Sequence, residues 1–260
     1  MGRRAWILTI VIASSALGLL NAQWLNYPTP GIPRLPNGQP NFAAPVPKAA
    51  DGKPDLSGVW ESEVQYFMDL AKDLKPGNVV MQPWAKSLQA EREGRDHQDD
   101  PLSQCMPPGV PRINMTTAAA PHPFKIVQTP SLVVLLYETS ANSTFRQVFL
   151  DGRPLPKEPQ PTWLGYSIGH WDGSTLVVDT IGFNGRAWLD TAKGHPQTES
   201  GHVTERFTRR DFGHLDIDIT IDDPGAYEKP WRAKVPVKLL ADTDLIETYC
   251  ENEKDQVHRR

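Results

Sequence analysis

This 260-residue sequence has no excess of positive charge: 27 Lys and Arg stand against 31 Asp and Glu, for a net charge of −4. Without a cationic surplus there is little to displace counterions from a phosphate backbone, which argues against a dedicated nucleic-acid binder. Cysteine is scarce, with Cys105 and Cys250 alone, too few for a thiolate zinc site. Neither is close in sequence to a histidine that would make it a nucleophile. The familiar catalytic signatures are missing: there is no Gly-x-Ser-x-Gly elbow, His-Glu-x-x-His, phosphate loop or dinucleotide fingerprint, so no cofactor is indicated. His170, His195 and His202 are too scattered to define a metal site. Beyond the N-terminus no apolar run is long enough to span a bilayer.

What is present begins with an export signal. Arg3 and Arg4 precede an apolar run from Ala5 to Leu20 with small residues near its end, and Leu20-Asn21-Ala22 is a tolerable site for cleavage before Gln23. The alternative, a membrane anchor, is disfavoured because the run falls short of the ~20 residues a bilayer needs. Loss of Arg3 and Arg4 leaves 25 cations against 31 anions, and a chain expected in the periplasm or outside the cell without further membrane attachment. In such a compartment Cys105 and Cys250 are expected to form a disulfide, the one pairing two cysteines allow.

From Gln23 to Pro54 the chain carries eight prolines, which forbid helix and central strand and predict an extended leader, mobile or wrapped over the domain. The folded unit is expected over 55–260. Pro83 to about Arg95 reads as the one helix, with Pro83 at its first position and Trp84, Leu88 and Arg92 spaced by four. Ten short strands follow from alternation and turn residues, from Gly58–Glu61 through Phe124–Gln128 to Arg232–Leu240 and Leu245–Cys250. Tight connections predict a mostly antiparallel up-and-down meander that closes as a barrel, because closure removes exposed edges. A half-open sandwich is the rival arrangement.

Two hairpins can be registered by argument. With Asp211-Phe212-Gly213 as a three-residue loop, Phe207 pairs with Ile217, Glu205 with Ile219, Arg206 with Asp218 and His202 with Asp222. Glu205 then stands alone among Val203, Phe207, Leu215, Ile217, Ile219 and Ile221. Burial there would make it a usable general acid or base, unless it pairs with a buried arginine or caps a backbone amide. The same reasoning, with Trp171-Asp172-Gly173 as the loop, sets His170 on a face with Tyr166, Ile168, Leu176 and Val178, and Asp179 on the opposite face. Asn114 and Asn142 match glycosylation sequons.

The stretch Asp51-Gly52-Lys53-Pro54-Asp55-Leu56-Ser57-Gly58-Val59-Trp60 resembles the opening of a family of secreted, largely uncharacterised bacterial proteins. Cys105–Arg112, Gly169-His170-Trp171-Asp172-Gly173-Ser174-Thr175-Leu176-Val177-Val178-Asp179-Thr180, and Asp223-Pro224 through Lys229-Pro230-Trp231 fit the same pattern. The resemblance spans most of the chain and implies no activity. Gly58-Val59-Trp60 also resembles the Gly-x-Trp start of lipocalin-like, calycin-type barrels, which implies an internal pocket for a small, mostly apolar molecule.

Three functions remain open at this point. The first is an exported barrel that binds a small, mostly apolar organic molecule, with Arg146, Arg206, Asp179, Trp171 and Phe207 as candidate ligand contacts. The second is an acid–base enzyme (a lyase, isomerase or hydrolase) using Glu205, with His170 as a second acid/base and Tyr166 as a donor. The third is an interaction module without a pocket.

Overall fold

The computed structural model describes residues 28–63, 66–96, 98–115, 123–139 and 144–250. The segment expected to be the export signal lies outside them. The chain folds as a closed barrel of nine strands in sequential order: β1 (Gly58–Ser62), β2 (Phe124–Gln128), β3 (Leu132–Tyr137), β4 (Thr144–Phe149), β5 (Tyr166–Asp172), β6 (Thr175–Ile181), β7 (His202–Arg209), β8 (His214–Asp222) and β9 (Trp231–Leu240). Pairing of β9 with β1 closes the ring. The one α-helix among the described residues, Pro83–Gly94, falls where the proline and the spacing place it, though Ala85 is its buried residue and Trp84 is exposed.

Two features depart from a ten-stranded meander. Leu245–Cys250 makes no strand ladder; it is held by side chains and by the Cys105–Cys250 disulfide. A ring of nine cannot alternate direction all the way round, so one pair must run parallel. That pair is β4–β5, joined by only two residue pairs, Val148 with Ser167 and Phe149 with Ile168. A crossover from Leu150 to Gly165, containing Pro154, Pro156, Pro159 and Pro161, returns the chain to the end where β4 began.

Alternation puts Val133, Leu135, Val148, Leu176, Val178, Val203, Phe207, Leu215, Ile217, Ile219, Ile221, Val235 and Val237 inside. The β7–β8 register is the one the three-residue loop predicts, with Glu205 opposite Ile219 and Arg206 opposite Asp218. Gly213 does not take a left-handed φ, and it is needed for space. A Cβ there would lie 2.4 Å from Cβ of Phe42, so glycine admits the leader against the hairpin.

The β5–β6 hairpin corrects the sequence reading. Its loop has two residues, Gly173 and Ser174, with φ of +61° at Gly173, and Asp172 pairs with Thr175. Glycine at the first loop position suits a two-residue turn whose twist matches the strands. Every pairing therefore shifts by three residues relative to the loop Trp171-Asp172-Gly173, and His170 stands opposite Val177.

The two barrel ends differ. One carries the tight β2–β3, β5–β6 and β7–β8 turns and is covered by the leader. Phe212 and Gly213 donate backbone hydrogen bonds to Ala44 and Phe42, and Arg209 donates to the carbonyls of Asp55 and Phe212 while lying over Trp60. The other end carries the helix and the long excursions 63–123 and 182–201. The Cys105–Cys250 bond closes a span of 145 residues and ties the C-terminal segment to this second end. No helix among the described residues is long and apolar enough to cross a membrane.

Candidate functional site

Glu205 is the expected odd residue of the interior, and it is fully buried. Its carboxylate is met by Arg146 from β4, with Nη2 2.6 Å from Oε2, and by Nδ2 of Asn114, which donates to Oε1 at 2.6 Å. Asn114 in turn accepts from the Tyr137 hydroxyl at 2.8 Å. Arg146 donates through Nε to Ser167 at 2.9 Å and through Nη2 to Thr180 at 2.6 Å, while those two hydroxyls bond each other at 3.0 Å. Six buried polar side chains thus form one network in the second end of the barrel.

The strands explain this grouping. Ser167, Thr180, Glu205, Arg146 and Tyr137 occupy inward positions of five consecutive strands, so they line one sector of the wall. Asn114 enters from a 3-10 turn, Arg112–Asn114, that stops the end of the barrel. Its side-chain nitrogen is consumed by Glu205, so the sequon at Asn114 is closed to modification in the folded chain. Asn142 lies outside the described residues.

Charge in this network is balanced. Burial works against the Arg146 charge, but Glu205 and Tyr137 outweigh it, and the guanidinium is held above its ordinary value. Burial raises the Tyr137 phenol and Glu205 adds to the rise, with Arg146 opposing, so the hydroxyl stays protonated as a donor. Of the readings open for Glu205, pairing with a buried arginine is the one the geometry carries.

The three residues singled out for acid–base chemistry occupy three different places. Glu205 lies inside; His170 is exposed on the outer face; Tyr166 is on the outside of the wall, stacked on Phe149 with ring centroids 5.4 Å apart and accepting from Arg153 at 3.2 Å. The two-residue loop places Asp179 on the same outer face as His170 rather than opposite it. Asp179 accepts from Thr204 at 2.8 Å and contacts His202 Nε2 at 2.9 Å. Arg206 is also outside, bonded to Asp172 at 2.8 Å. Trp171 and Phe207 face the core. Of the candidates, Arg146 alone is brought to Glu205.

Next to this network the wall opens. Where β4 and β5 are not laddered, a cleft of about 420 Å³ is lined by Phe145, Phe149, Trp163 and Tyr166, with Arg146 and Ser167 also contributing. Asn114, Tyr137, Ser167 and Thr180 escaped the sequence reading. Tyr137 could have been found by continuing the alternation Val133, Leu135, Tyr137; Asn114 has no comparable signal. The chain matches no protein-family model and no curated protein.

Proposed function

We propose that this is an exported barrel protein that binds a small, uncharged, mostly apolar organic molecule in the cleft between β4 and β5. The observation that carries the reading is the opening itself: two residue pairs join these strands, and the gap is walled by aromatic rings beside a polar network. Pockets for small molecules combine apolar walls with a few fixed polar groups in this way. Because Glu205 neutralises Arg146, an anionic ligand would find no net positive charge in the network. The reading favours binding over acid–base catalysis because Glu205 is engaged by two partners and stands apart from His170.

Titration of the purified protein with a neutral fluorescent probe, N-phenyl-1-naphthylamine, tests this reading. Saturable binding to one site is expected, and Trp163→Ala and Phe145→Ala should each weaken it by about tenfold, the equivalent of ~1.4 kcal/mol. Non-saturable binding, or affinity indifferent to both substitutions, would remove the cleft as the binding site.

A further inference from the structure

A second cluster of chemically capable side chains lies outside this network. Asp190 and His195 come from the excursion between β6 and β7, and Asp69 from the one between β1 and β2. One donor atom from each lies within 4.8 Å of the others. Asp190 and His195 are buried, and Asp190 is wholly so. His195 Nδ1 is 2.6 Å from Asp190 Oδ2, which also accepts from the Leu70 amide at 2.9 Å, while the His195 amide donates to Oδ1 at 3.1 Å. The Ala71 amide orients Asp69 through Oδ1 at 2.9 Å, and its second oxygen accepts no hydrogen bond among the described residues.

Among the described residues no lysine or arginine is paired with either carboxylate, although Arg92 and Lys193 lie near enough to interact with Asp190 across space. Lys193, which lies close enough to feel Asp69 and Asp190, bonds Glu93 at 2.9 Å, and Arg92 donates to the Gly194 carbonyl at 2.7 Å. Two carboxylates this close repel each other, and even a protonated imidazole would offset only one of them. A divalent ion would balance both, and donors already this near need only side-chain adjustment to reach the roughly 2.0–2.2 Å of a metal bond.

We propose that Asp69, Asp190 and His195 form a binding site for a first-row divalent cation of the Zn²⁺ type. The imidazole selects against Mg²⁺ and Ca²⁺, which prefer all-oxygen shells. The backbone amides of Leu70, Ala71 and His195 hold the carboxylates in place, the outer-sphere support that metal sites use. Three protein ligands leave room for water or a substrate atom at the ion. The site also joins the two excursions, which already meet through the Thr191 amide on Phe67 and the Ala192 amide on Met68.

The test uses the full disulfide-bonded chain after chelator treatment, titrated calorimetrically with Zn²⁺ and by visible absorption with Co²⁺. One equivalent of each is expected, with Co²⁺ showing imidazole-ligated bands that His195→Ala abolishes. Asp69→Asn should weaken binding by about tenfold or more. Because Asp69 is only half-buried and orients one amide, that variant keeps the fold even if His195→Ala does not. Absence of stoichiometric binding would leave Asp190 and His195 as a simple buried pair and overturn the proposal, as would binding that Asp69→Asn leaves unchanged.

Discussion

At the scale of single residues, the buried pair of Glu205 and Arg146 governs the interior. Each charge is tolerable in the barrel only because the other is there, and Asn114, Ser167 and Thr180 take up further hydrogen bonds. Removing one member strands the other, at a cost of about 3–5 kcal/mol, whereas replacing both with apolar groups of similar volume is far milder. Glu205→Gln and Arg146→Met should therefore each lower stability by that amount in urea unfolding, with the double variant well short of their sum. Additive losses would show that the pair is not coupled. On the outer face, His202 and Asp179 supply a pH test. The Asp179 contact raises the His202 imidazole, against a smaller opposing effect of burial, and the same contact lowers Asp179. The stabilisation is complete below the ordinary imidazole value of 6.5 and fades as pH rises through the raised one; at the acid end it fades as pH falls through the lowered Asp179 value, beneath 3.8. His202→Gln should cost about 0.2–1 kcal/mol in the mildly acidic window between these limits and nothing at alkaline pH, as read by thermal melts across pH.

At the scale of elements, the last segment before Cys250 behaves as a strap. Its β-rich sequence suggests a tenth strand, but β9 already pairs with both β8 and β1, so the closed ring offers no free edge to extend. The strap instead follows β2 and β3 from outside, through Lys125 with Asp244 at 2.7 Å, the Ile246 amide on Glu138 at 2.9 Å and the Thr248 hydroxyl on the Thr139 carbonyl at 2.7 Å. The disulfide fixes its end. Cys105→Ser with Cys250→Ser should lower stability by about 2–5 kcal/mol while the far-ultraviolet spectrum of the barrel persists. Protease cleavage should then appear first after Leu240. Loss of all strand signal would instead mean that the bond is required to fold the barrel.

At the scale of the whole molecule, the odd strand number sets the weak line. The β7–β8 and β8–β9 ladders each run through eight residue pairs, and the β4–β5 seam through two. Local opening follows the ladders with fewest bonds. Peptides covering residues 144–147 should exchange amide hydrogens about tenfold or more faster than those covering 203–208, as measured by mass spectrometry. A bound probe in the cleft should narrow the difference. Equal protection without ligand would mean that the seam is no weaker than the rest of the wall. The asymmetry of the ends adds to this picture: the leader and Arg209 close one, while the helix and long excursions gather the polar network and the Asp69–Asp190–His195 cluster at the other. The turn Arg112–Asn114 bonds the network through Asn114 and Glu205, and Arg112 is bonded to Asp100 and to Thr191, the residue after Asp190.

Local pattern alone determined the all-β class, the helix behind Pro83, the β7–β8 register and the burial of Glu205, because alternation and turn chemistry act between residues close in sequence. The disulfide followed from an even count of two. The partner of Glu205 was decided by tertiary structure: Arg146 lies three strands and 59 residues away, and only closure of the ring carries both into one sector. The two-residue β5–β6 loop likewise escaped local reading, since Trp171-Asp172-Gly173-Ser174 accommodates either loop and the choice falls to which face of β5 turns inward: Ser167, Gly169 and Trp171 pair with inward residues of β6, and His170 faces out. The parallel seam and its cleft arise from strand-number parity, a property of the closed ring that no single segment contains.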